Sequence, residues 1–172
     1  MFGRWLKTSQ DTALPRDAEQ LEATVRGMLP LADTETVRVV TAIAGLLGAV
    51  AYADRNYSEE EERLVRTMLA RIEGMTTAGV DAICAVLRAH IIEVATVQTP
   101  RYCRTLKELA DRDLRVEVLE LLVDVTAADG TVSHAETNEV RRLTAALGLS
   151  QDDYNEAQAK HRDRLSVTRV QP

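Results

Sequence analysis

Residues 51–70 read AYADRNYSEEEERLVRTMLA, and residues 126–145 read TAADGTVSHAETNEVRRLTA. An offset of 75 lays Ala53, Asp54, Ser58, Glu61, Val65, Arg66 and Ala70 on Ala128, Asp129, Ser133, Glu136, Val140, Arg141 and Ala145. Each copy has the same grammar. An apolar helix stops at an aspartate, a short turn follows, and a new helix opens with S-x-x-E. That spacing is a capping box, in which serine and glutamate satisfy amides that the first turn of a helix leaves unpaired. In the first copy, Glu59 to Glu62 also sit where the helix dipole is positive and favours carboxylates.

Helical spacing continues on both sides of this pair. Leu21, Val25, Met28 and Leu29 fall on one side of a helix over 16–29, and Pro30 ends it because proline has no amide to donate. Residues 35–53 are apolar nearly all round, which predicts a central buried helix. Gly45 and Gly48 within it suggest close approach of neighbours, since each glycine costs a helix up to ~1 kcal/mol. The first elbow's helix carries Leu64, Val65, Met68, Leu69 and Ile72, with Gly74 as its stop. A helix over 77–97 follows. Thr99–Pro100 then reads as a cap and first position of a shorter helix carrying Tyr102, Cys103, Leu106 and Leu109. Asp113 opens a long helix to Ala128, with Glu120 and Asp124 expected on its exposed side. Val140, Leu143 and Leu147 form the next stripe, with Gly148 as its stop. Ser150 caps a last helix carrying Tyr154, Ala157, His161 and Leu165.

No β-branched alternation bounded by turns competes. The expectation is therefore all-α: one bundle of seven or eight helices over 16–165, with a flexible arm at 1–15 and a loose tail at 166–172. The two helix–acidic turn–helix units are expected to pack about an approximate two-fold axis, each burying the other's apolar face.

Composition removes several functions. A net charge of −6, with pI near 5.2, disfavours nucleic acid and anionic lipid, which reward Lys and Arg. Aromatic residues make up 3%, so stacking platforms for single strands are scarce. The longest uncharged run, 39–53, is shorter than the ~20 residues a bilayer span needs. Cys84 and Cys103 lie far apart among apolar neighbours and read as reduced core residues of a cytoplasmic protein. The start, MFGRWLK, lacks the apolar run of a signal peptide, but it sets the only Trp and Phe beside two cations. A weak membrane or partner contact through residues 1–7 is one reading of it, and a frayed end is the other.

The two elbows resemble the TerB family, the helical domains of tellurite resistance protein B type. The family's pattern is an apolar helix, Ala-Asp-Gly, a variable residue, an apolar one, Ser or Asp, and two residues later Glu. ADGTVSHAE at 128–136 fits it, whereas ADRNYSEEE at 53–61 has Arg55 where the pattern expects Gly. RYCRTLKELADRDLRVEVLELLVDVTAADG, at 101–130, also looks like the family's middle, and the likeness covers roughly 36–165. The resemblance implies a helical bundle linked to tellurite resistance and stress response, acting through protein partners without enzymatic chemistry. It also implies a divalent cation held by the duplicated acids.

Two readings of Asp54, Glu61, Asp129 and Glu136 stand side by side. As a shared metal site, their carboxylates suit hard cations such as Ca²⁺, Mg²⁺ or Mn²⁺. As structure, the glutamates cap helices and the aspartates bond local backbone in turns. A contiguous calcium loop is excluded. Counted from Asp129, His134 stands where glycine is needed and Val140 where the bidentate glutamate belongs. Counted from Asp54, Glu59 and Val65 fail in the same places. His90, His134 and His161 form no zinc spacing. The alternative function is a metal-dependent enzyme built on the same four acids. It would require one acid in a dry, perturbed setting.

Overall fold

The computed structural model describes residues 16–127 and 133–168. Eight α-helices run in order among them: α1 (Arg16–Met28), α2 (Thr34–Ala51), α3 (Glu59–Leu69), α4 (Thr77–Glu93), α5 (Thr99–Leu109), α6 (Arg112–Ala127), α7 (His134–Ala146) and α8 (Gln151–Thr168). A π-helical turn, Val94–Gln98, joins α4 to α5. No strand occurs among the described residues. The arm at 1–15 lies outside them, as does the turn at 128–132. α8 runs through Thr168, so 166–168 extend the last helix instead of starting a tail.

α2 is the axle. It packs against α1, α3, α4, the π turn, α5, α6 and α7. From Val40 to Ala51 every residue is buried, because no face of that stretch carries a charge that must reach water. This helix has the length and apolar composition of a membrane span, but most of it is buried inside the bundle. Asp33 starts it by accepting the Thr36 amide at 2.7 Å. Gly45 explains its own presence: a Cβ there would lie inside the ring of Tyr102 on α5. At Gly48 a Cβ would stand 3.2 Å from the side-chain tips of Leu87 and Ile91. Those flexible ends can yield, whereas an aromatic ring cannot.

Most positions of the core stripes expected from the sequence are buried, while Met28, Leu29, Leu64, Ile72 and Leu109 are only partly so and the Leu165 side chain lies outside the described ones. Val65, Met68 and Leu69 point in from α3, Val140 and Leu143 from α7, and Tyr154 and Ala157 from α8. Each large aliphatic side chain buried this way contributes about 1.5–3 kcal/mol.

Three boundaries differ from the sequence reading. The helix expected to reach Gly74 ends at Leu69, and Gly74 takes its positive φ of 81° in the following turns. α6 is capped by Asp111, not Asp113, with the Leu114 amide donating to Asp111 Oδ1 at 2.9 Å. The third is at Thr99–Pro100, where α5 does start with the proline in its first turn, but Thr99 is its first residue and not its cap: Gln98 precedes it in helical conformation with no side-chain cap. The chain stays helical through it by widening into the π turn, and the Thr99 hydroxyl donates back to the Ala95 carbonyl at 2.9 Å. A proline ring clashes with the carbonyl four residues earlier in a regular α-helix, and wider winding relieves that clash. His90, with φ −126° and ψ 19°, kinks α4 just before this turn.

Candidate functional site

The first elbow begins where α2 runs out. The Tyr52 amide donates to the Gly48 carbonyl and the Ala53 amide to the Val50 carbonyl. The Arg55 amide then closes a turn onto the Tyr52 carbonyl at 2.8 Å. Arg55 has φ 67°, the left-handed region that a Cβ disfavours. This is the position at which the motif expects glycine, so the departure in the sequence marks a real conformational requirement met at a cost. Asp54 Oδ1 accepts the Asn56 amide at 2.8 Å, which pins the turn.

Both elbows then open into complete capping boxes. Ser58 Oγ accepts the Glu61 amide at 3.2 Å, and the Glu61 carboxylate accepts the Ser58 amide in return. Ser133 Oγ accepts the Glu136 amide at 3.1 Å, and Glu136 Oε2 accepts the Ser133 amide at 2.9 Å. Each glutamate commits Oε2 to the cap and leaves Oε1 with no hydrogen-bond donor among the described residues. Asp54, Glu61 and Glu136 form no ion pair with Lys or Arg among those residues. Asp129 lies outside them.

The helices that flank the two capping boxes pack on one another. α2 packs on α6, α3 packs on α6, and α7 packs on α2, so each unit lays its second helix on the other's first. Glu61 registers the outcome electrostatically. Its carboxyl is held above the ordinary glutamate range, first because half-burial penalises the charge. The hydrogen bonds from Ser58 oppose that shift, and the negative charges of Asp54 and of Glu136, across from the other elbow, add to it. Glu62, one residue on, behaves differently: it pairs with Arg66 and Arg88, and Arg88 lies 5.6 Å over the Tyr57 ring.

Glu120 and Asp124 do not join the elbow field. Glu120 pairs with Lys160 at 2.7 Å. Asp124, expected on an exposed side, is 5% exposed. Its Oδ2 meets Arg71 at 2.8 Å and its Oδ1 meets His161 Nδ1 at 2.7 Å, tying α6 to α8 and to the turn after α3. Asp124 is the one charge in LLVDVTAA, at 121–128. A lone charge in an apolar helical run signals a buried pair, because an unpaired one would be too costly.

Cys84 and Cys103 are buried free thiols. Burial pushes each up to about 11, so the thiolate needed for nucleophilic attack is scarce near neutrality. Among the described residues no three His, Cys, Asp or Glu side chains cluster so as to hold a metal ion. What the described residues do hold is a pair of cap glutamates with spare oxygens in a shared negative field. That donor chemistry fits a hard cation, with the fourth acid of the pattern outside the described residues.

The fold and both capping boxes agree with one known family pattern, described as tellurite resistance protein TerB, which matches residues 40–159. The chain belongs to the TerB family. No curated protein and no solved structure matches it. Within a TerB domain, Arg55 is a departure at the glycine of the first Ala-Asp-Gly, and Gly130 keeps that residue in the second.

Proposed function

We propose that this TerB-family protein is a non-enzymatic stress-response module of the cytoplasm that works through protein partners and takes a divalent cation between its elbows. Asp54, Glu61, Asp129 and Glu136 would supply the oxygens, with Ca²⁺, Mg²⁺ or Mn²⁺ as the ion. The observation that carries the reading is that the capping glutamates of the two units feel each other's charge, each with one carboxylate oxygen unspent and no ion pair among the described residues. Carboxylates facing one another at a solvated helix start are stabilised by an external cation, since each repels the other's charge. On this view the ion ties one unit to the other, and the surface it rigidifies is what a partner meets. The two units would be related by an approximate two-fold axis, which is the simplest way to present matching oxygens to one ion.

Calorimetric titration of the full chain with Ca²⁺, Mg²⁺ and Mn²⁺ tests the cation. Saturable heat that disappears in Glu61→Gln/Glu136→Gln is expected, and no heat at millimolar cation would defeat it. A pull-down from the native host, with and without cation, tests the partner. Capture that depends on cation and on the two glutamates is expected. Turnover of a phosphoester or peptide substrate by the metal-loaded protein, lost with the same two glutamates, would favour the enzymatic alternative.

A further inference from the structure

The apolar core is open along one line. A groove of about 470 Å³ runs between α2, the turn after α3 and α6. Ile43, Ile72, Leu114 and Leu121 form its floor, and the last three are only partly buried. Leu114, Val118 and Leu121 follow the i, i+4, i+7 spacing of one helix face; Val118 is buried, and Leu114 and Leu121 on either side of it stay partly open. The rim is acidic. Glu73 and Glu117 line it and form no ion pair among the described residues, while Glu120, beside them, is paired with Lys160. Asp124 and Arg71, also in the lining, neutralise each other.

We propose that this groove docks a partner segment that is amphipathic and basic, with apolar side chains on one side flanked by Lys or Arg. The floor supplies burial and the rim selects sign: an acidic or purely apolar segment would leave Glu73 and Glu117 facing like charge or no charge. The chain's net charge of −6 steers such a segment inward. The inference rests on the reading of this chain as a partner-binding module, but not on the cation at the elbows.

The test is an amide-shift titration of the full chain, in EDTA, with a short synthetic helix of Leu and Lys in amphipathic order. Saturable shifts centred on Ile72, Leu114 and Leu121 are expected. Affinity should fall roughly tenfold or more in Glu73→Lys/Glu117→Lys, whose two exposed sites leave the fold intact. The same helix with Glu in place of Lys should not bind. Equal binding of the Glu peptide, unchanged affinity in the double variant, or shifts mapped elsewhere would each overturn the groove. Because EDTA removes the ion and the pull-down tests partners independently, such a failure would leave the module reading standing.

Discussion

Two sets of carboxylates occupy α6 and the elbows, and they are handled in opposite ways. Asp124 is buried and answered from within: Arg71 meets one oxygen and His161 the other. Glu61 and Glu136 are half-buried and, among the described residues, answered only by their own caps, and Glu61 has Asp54 and Glu136 for charged neighbours. A buried acid that the fold provides with cations holds the fold. An acid that has acids for neighbours costs the fold something, and a bound cation, as proposed, would offset that cost. The sequence made the elbows conspicuous and hid the junction at Asp124, although the junction is the one that carries structural energy.

Breaking the internal pair should have the largest effect. Asp124→Ala leaves His161 buried beside no anion and frees Arg71, and should cost about 3 kcal/mol whether or not cation is present. Urea unfolding with and without Ca²⁺ measures it, and a cost below 1 kcal/mol would remove the contrast. Next, Ser133→Ala and Ser58→Ala each delete one cap acceptor and should cost ~1 kcal/mol. A much larger loss at Ser133 would mean that the elbow is structural first. Smaller and opposite in sign, Arg55→Gly relieves the left-handed strain and should stabilise by up to about 1 kcal/mol, offset in part by glycine's greater freedom when unfolded. Thermal unfolding reads that gain as a raised Tm.

The smallest effect is a slope. Glu61 binds its proton more tightly folded than unfolded. Its contribution is therefore fully present below the ordinary glutamate value, about 4.3, and is lost as pH rises through the raised folded value. Glu61→Gln should flatten the fall in stability that the parent chain shows as pH rises above the ordinary glutamate range. Parallel urea curves for parent and variant across that rise in pH would contradict the electrostatic account of the elbow.

Most of this fold was legible because helical period and caps are local signals. The apolar run 39–53 could only be an axle, and S-x-x-E at Ser58 and Ser133 placed two helix starts to the residue. Legibility failed where partners are distant. Asp124 reads as exposed on helical spacing alone, since nothing nearby in sequence reveals Arg71 or His161. Thr99–Pro100 marked the start of α5 correctly, but nothing local shows that the preceding residues, Val94–Gln98, keep winding as a π turn and leave no cap. Gly45 was legible as a close approach but not as a seat for the Tyr102 ring. Of the four candidate ligands, the sequence named the two capping glutamates as a repeated pair. Their mutual electrostatic reach is a property of helix packing.

We propose that the two elbows act on one ion. Paramagnetic broadening by Mn²⁺ tests it most directly, read in one titration at the amides of 58–62 and 133–137. Both sets should broaden together with a single apparent Kd, and Glu61→Gln should suppress broadening at 133–137 in the opposite elbow. Separate midpoints, or no broadening at either elbow with millimolar Mn²⁺, would contradict it.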